Sequence, residues 1–453
     1  MKKLLISLLL AAMFTMSSCN YNEEQINVNT TDANQEAIID GKIPLSRAIS
    51  NANFFFRNTE GVAAKKRKVK SVDVLTTSNT NSVIANTRSA LSGQEEPVAY
   101  VVNYDNNEGF AILAADTKLP PVIGIGDEGN FNTQEFLDFV RNKRTRTNDS
   151  ELNPAQEVQY ATINNSLLLP PHIIGPGSTE GVDTTIVLKC LPLVRTKWGQ
   201  HAPYNYYAPP AKDSIFDTKS AAGCVPVAGA QVIASLCYHH NWRPTTQLSD
   251  EFIVDWEALN RMIFNDLIAF EPETYGSNVS NVAKLIRAVG EDVRAIYGTK
   301  TGANTYDLAD TYEKLGMSST RYGNEESDIP VTRNDIFNMI NYKCYPVNAR
   351  ANNSMSNDPN NGHSFILDGW LRLEYTILSA DGSVGDISIL NRQYNFDLVH
   401  VNFGWNGDYD GYYLQDAIDL TTDKYHAYAE SDDDEGVALA VYDLNVEYLI
   451  YDK

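Results

Sequence analysis

A chain of 453 residues is long enough for two or three domains, and a hydrophobic share of 43% is ordinary for a globular protein. A formal net charge of −22 argues against a nucleic-acid binder, which needs a basic surface. The five cysteines are too sparse for a disulfide scaffold and form no C-x-x-C pair for a structural zinc site.

The N-terminus carries Lys2 and Lys3, then an apolar run from Leu4 to Phe14, then Met16-Ser17-Ser18-Cys19. That pattern is a signal peptide over residues 1–18, and the apolar run is too short to span a bilayer. The small residues before Cys19 resemble a bacterial lipobox, in which the cysteine is acylated and becomes the new N-terminus. This predicts an exported lipoprotein held at the outer membrane or cell surface through Cys19. A plainly cleaved signal is the alternative.

Residues 19–43, rich in Asn, Glu, Asp and Thr, read as a polar tether. A short helix is expected over 44–57, and the basic run Lys65–Lys70 reads as a loop or exposed strand. Val98–Asn103 and Gly109–Ala114 flank Asp105-Asn106-Asn107 in a hairpin pattern. Pro121–Ile125 reads as a further strand and Thr133–Arg141 as a helix with Phe136, Phe139 and Val140 on one face. Residues 44–140 are therefore expected to form a small α+β domain. The basic, then polar stretch 141–186 reads as a linker containing an activation cut, and 187–453 as a second domain. Its first part is helical and its last part strand-rich, which predicts α+β.

Four weak chemical signals lie in the second domain. In Ala222-Gly223-Cys224-Val225-Pro226, a small-residue loop leads into a helix continuing through about His239. Cys224 then sits at a helix N-terminus, where the dipole and free amides favour a thiolate, and Gly223 allows close approach of a substrate backbone. A buried structural cysteine is the commoner fate of this residue type. His363 follows the turn pair Asn361-Gly362 and opens the apolar strand run Ser364–Trp370. Asn402, at the end of Val399-His400-Val401-Asn402, is placed to orient an imidazole, with Trp405 as aromatic cover. Gln200, after Lys197-Trp198-Gly199, offers an amide beside the Cys224 N–H for an oxyanion.

The order Gln200, Cys224, His363, Asn402 is that of papain-like enzymes, and Cys224 and His363 stand 139 residues apart, inside the papain-like spacing. The segments Pro192–Gln200, Pro203–Asn205, Ala222–Val225 with Ala230-Gln231, Gly362–Gly369, His400–Gly407 and Asp410–Tyr413 resemble the streptopain family of bacterial cysteine proteases. Residues 44–140, above all Gly109–Gly126, look like that family's propeptide. The resemblance implies a papain-like fold, hydrolysis of protein or peptide substrates without a cofactor or metal, and inhibition by the chain's own propeptide until it is cut. It carries catalytic roles to Cys224, His363, Gln200 and Asn402. Phe403 stands where the family usually has tryptophan. Two alternatives share the fold: transglutaminase or amidase chemistry with the same Cys–His pair, and a non-catalytic surface-binding lipoprotein on a degenerate protease fold, which would be expected to have lost Cys224 or His363.

Two further patterns are read as decoys. Asn406-x-Asp408-x-Asp410-Gly411 imitates half a calcium loop, but Ala417 stands where the bidentate acid belongs, so a tight turn is expected. His239-His240 suits a helix C-terminus rather than a metal.

Overall fold

The structure, a computed structural model of the chain, describes residues 38, 41–59, 67–80, 96–144, 152–168, 179–214, 218–264, 277–322, 332–353, 362–379, 390–415 and 444–452. The signal segment, Cys19, most of the tether and the acidic run 431–435 lie outside them.

The N-terminal elements are α1 (Leu45–Thr59), β1 (Val69–Thr76), the short helix α2 (Thr77–Thr80), β2 (Pro97–Tyr104), β3 (Phe110–Ala114), β4 (Val122–Gly126) and α3 (Thr133–Arg144). Each expected helix and strand of this region is present. The four strands form an antiparallel meander. At the β2–β3 turn Asn106 and Asn107 adopt φ values of 59° and 57°, which asparagine tolerates better than other side chains. Helix α1 buries Ala48, Ala52, Phe55 and Phe56 against the meander, in an apolar core that continues into the second domain, where Phe55 meets the Tyr412 ring.

The linker expectation needs correction. Within 141–186 lies α4 (Pro154–Leu168), and almost its whole length is buried. Asn153 caps it by accepting the Gln156 N–H at 2.8 Å, and Pro154 follows as its first residue, where a missing N–H costs nothing. Tyr160 packs among Phe131, Phe136 and Phe139, while Gln159 donates to the Tyr413 hydroxyl at 2.9 Å. A helix wedged between two regions is covered all round and shows no amphipathic stripe in its sequence. The expected boundary at 186/187 also falls inside β5 (Thr179–Cys190), which pairs along β8.

The remaining elements are α5 (Cys224–His239), α6 (Trp256–Phe264), α7 (Ser277–Asp292), α8 (Asp307–Lys314), β6 (Ser318–Tyr322), α9 (Arg333–Asn341), β7 (Val347–Asn353), β8 (Gly362–Ser379), β9 (Leu390–Asn402), β10 (Gly411–Leu414) and β11 (Leu444–Asp452). Helices come first and strands last, the expected α+β segregation. Helix α5 is buried continuously from Val225 to Cys237, so it runs through the core rather than presenting one apolar face.

The strands join in one antiparallel sheet of order β1-β2-β3-β4-β10-β9-β8-β7-β11-β6, with β5 on β8. Its seam is the pairing of β4 with β10: Gly411 faces Gly126, Tyr412 faces Ile125 and Tyr413 faces Gly124. A Cβ at Gly411 would lie 2.0 Å from the Ile125 carbonyl oxygen, so only glycine permits this approach.

Candidate active site

Cys224 is the first residue of α5, as the sequence predicts. Gly223 before it holds φ at 96°, and a Cβ there would come within 2.9 Å of Thr301. Two neighbours pin the approach. The Ala222 N–H donates to the Gln200 carbonyl at 2.7 Å, and the Ala221 N–H to Gly298 at 3.0 Å. The first of these fixes buried Gln200 next to the start of α5.

Cys224 keeps some solvent-accessible surface, yet burial of its sulfur raises the thiol pKa. Main-chain contacts from Ser364 and Val225, and the more distant charge of Arg350, pull against that. Ser364 immediately follows His363, so the thiol lies against the strand that bears the histidine. Cys190 and Cys237 are also free thiols, but burial pushes each up to about 12 and leaves it protonated.

His363 opens β8 behind Gly362 and is only 1% exposed. Its ring lies among Phe365, Phe403 and Trp405, with centroids at 6.4, 6.1 and 6.3 Å. Phe403, where the family usually has tryptophan, is thus one of three aromatic rings around the imidazole. Nε2 meets the Phe403 carbonyl at 2.8 Å. That oxygen can only accept, so Nε2 carries the hydrogen and Nδ1 is the basic nitrogen. Burial drives the His363 pKa down to about 4, against the lifting effect of the Phe403 carbonyl.

Asn402 stands apart from the role read for it in the sequence. Its Oδ1 accepts from Gln231 Nε2 at 2.9 Å and from the Gly404 N–H at 3.1 Å, and its Nδ2 donates to the Thr196 carbonyl at 3.1 Å. With both acceptor positions taken, the partner on His363 is the main chain one residue further on. The half calcium loop is a tight turn, with the Asp408 N–H donating to Trp405 and the Asp410 N–H to Gly407.

Composition and spacing gave no warning of a buried charge cluster behind the site. His400 Nδ1 meets Asp368 Oδ1 at 2.6 Å, and its Nε2 meets Asp127 Oδ2 at 3.1 Å. Burial alone would lower the His400 pKa, but the Asp368 charge and the bonds to Asp127 and Asp368 carry it up to about 10. Asp127 follows β4 and so belongs to the N-terminal domain. Its N–H also donates to the Asp410 carbonyl at 2.9 Å. Asp410 in turn accepts the Phe403 N–H at 2.7 Å, and burial raises it to about 7 despite the nearby His400 charge. The contacts run unbroken from Asp127 through Asp410 and Phe403 to His363.

Residues 198–413 match the Peptidase C10 family, and residues 41–144 match the Spi protease inhibitor family. Streptopains of Streptococcus pyogenes, among them those of serotypes M3 and M1, are 24% identical over 352 residues, covering 70% of this chain and 74% of theirs. Among solved structures, the chain is similar to a prointerpain A fragment of Prevotella intermedia, at 19% identity and a TM-score of 0.40, covering 78% of this chain and 94% of that one. It is also similar to active wild-type interpain A from the same organism, at 23% identity and a TM-score of 0.32, covering 50% and 85% respectively. The chain is thus a cysteine-type peptidase homologous to streptopain, with a Peptidase C10 domain preceded by a Spi-type inhibitor domain.

Proposed function

We propose that the chain is an exported, lipid-anchored cysteine endopeptidase made as a zymogen, with Cys224 as nucleophile and His363 as base. The observation that carries this reading is the Cys224 thiol at the open end of α5, set against the main chain of Ser364 next to a histidine whose Nδ1 is the basic nitrogen. In the reaction, Nδ1 takes the thiol proton and the thiolate attacks the scissile carbonyl. The resulting imidazolium then protonates the leaving amine, and water hydrolyses the acyl-enzyme. The tetrahedral oxyanion is stabilised by the Cys224 N–H at the helix terminus and by the Gln200 amide.

In the full chain this machinery reads as latent. The low pKa of His363 and the raised pKa of Cys224 keep both neutral at physiological pH, so no thiolate is poised. The inhibitor domain reaches them through the β4–β10 seam and through Asp127, whose contacts lead along Asp410 and Phe403 to His363. Anchoring at Cys19 belongs to the same reading and is supported by Met16-Ser17-Ser18 before it.

Single changes of the cysteines test this. Cys224→Ala should abolish hydrolysis of casein. Cys190→Ser and Cys237→Ser should retain it, and Cys19→Ala should stay catalytic but leave the membrane fraction. Proteolysis by the Cys224→Ala protein would end the assignment of the nucleophile, and unchanged detergent partitioning of Cys19→Ala would remove the anchor.

A further inference from the structure

A single glutamine amide joins the three segments that carry the proposed site. Gln231 lies seven residues, or about two turns, beyond Cys224 on α5 and is fully buried. Its Oε1 accepts from Thr196 Oγ1 at 2.9 Å and from the Trp198 N–H at 3.1 Å, two residues before Gln200. Its Nε2 donates to Asn402 Oδ1 at 2.9 Å. Asn402 Nδ2 closes the ring by donating to the Thr196 carbonyl at 3.1 Å.

The orientation of every group in this ring is forced. The Trp198 and Gly404 N–H groups can only donate, and the Thr196 carbonyl can only accept. Turning over either amide would set donor against donor or acceptor against acceptor. Apart from Ser235, whose hydroxyl donates to the Leu193 carbonyl at 3.1 Å, the helix around Gln231 is apolar: Val225, Val227, Val232, Ile233 and Leu236 are all buried. A buried amide in such surroundings is costly unless all its partners are in place, so the ring fixes one spacing between the segments.

From this geometry we infer that Gln231 is a positioning residue of the peptidase reaction. It sets α5 with Cys224, the Thr196–Gln200 segment with the oxyanion amide, and the Asn402–Phe403 corner whose carbonyl holds His363, in register with one another. Asn402 acts as a member of this ring, and the Phe403 carbonyl is the group that orients the imidazole. The inference rests on the assignment of Cys224 and His363 above.

The test uses full-length variants matured by tagged wild-type enzyme that is then withdrawn. Kinetics are read on a quenched-fluorescent peptide that the wild type cleaves. Gln231→Met fills the same space but offers neither bond. Its kcat should fall on the order of 10- to 100-fold, the scale of a small misplacement of reacting groups, with KM within about twofold. Adding it to Asn402→Ala should cost little beyond Asn402→Ala alone, because both break one ring. A kcat within about twofold of wild type, or additive losses in the double variant, would overturn the inference.

If Gln231→Met does not fold, Gln231→Glu decides. Its carboxylate keeps the Thr196 and Trp198 bonds but cannot donate to Asn402. Protonation restores a donor, and burial raises the pH at which that happens. The wild-type to variant kcat ratio should therefore shrink as pH falls, whereas a ratio constant with pH would refute the role. An active Cys224→Ala protein would sink the underlying reading instead, so the two failures are distinguishable.

Discussion

Strand β9 carries two polar residues two positions apart, His400 and Asn402, and the molecule treats them oppositely. Asn402 is held by neutral amides and carbonyls that all belong to the peptidase domain. His400 is held by two carboxylates, one from its own domain and one from the inhibitor domain. A neutral ring has no titratable member and fixes geometry at every working pH. A buried charge shared between domains is sensitive both to pH and to departure of the partner. The comparison teaches that fixed geometry and releasable contact can be assigned to positions two apart on one strand by choice of side-chain chemistry.

The largest effects should come from the catalytic side. Gln200→Ala removes the proposed side-chain oxyanion donor while leaving its main-chain bond to Ala222 intact. Turnover should drop about 10²- to 10³-fold with little change in melting temperature. A loss confined to KM would move Gln200 out of the reaction and into substrate binding.

A smaller effect is expected at the seam. Asp127→Asn keeps the shape but removes the charge facing His400, whose other carboxylate, Asp368, remains. Hydrogen bonds to charged groups contribute about 1.5–3 kcal/mol, and the Asp127 side chain is 39% exposed, so about 1 kcal/mol is a fair expectation. In a Cys224→Ala background, active enzyme should cut the Asp127→Asn zymogen roughly fivefold faster. His400 has a folded pKa near 10, above its unfolded value, so its stabilising contribution is present below about pH 6.5 and is lost as pH rises through about 10. The gap between the two zymogens should therefore close above pH 10. The smallest effect should be that of Glu128→Gln. Glu128 pairs with Lys197 across the same seam at 2.5 Å, but both ends are about half exposed, and such pairs contribute roughly 0–1 kcal/mol. Equal rates for Asp127→Asn and Glu128→Gln would remove any special role for the buried charge.

Much of this was legible in the sequence where one residue type serves one local purpose. The helix from Cys224 to His239, the strand opened by His363 and the hairpin over 97–114 follow from apolar periodicity and turn residues. What escaped has physical reasons. Helix α4 mixes buried polar residues, Glu157, Gln159, Thr162, Asn164 and Ser166, with its apolar ones, so no apolar stripe marks it as a helix, and Asn153-Pro154 was its one local signal. Asn402 looked free to orient His363, because nothing in a linear sequence shows that Gln231 and Gly404 already occupy its oxygen. A glutamine amide within a mostly apolar helix was a usable clue, since a buried amide requires partners. The Asp127–His400 contact joins residues 273 positions apart and depends on the β4–β10 seam, which local patterning does not encode.

The central claim is that the full chain holds Cys224 and His363 in a neutral, latent state that removal of the inhibitor domain relieves. The most direct measurement is the rate of Cys224 alkylation by iodoacetamide against pH, before and after maturation. Here the full-length protein should react slowly at neutral pH and accelerate only as the solution turns alkaline, because burial raises its thiol and leaves His363 neutral. The matured enzyme should react fast between about pH 6 and 8. Equal, fast alkylation of both forms at neutral pH would contradict the account.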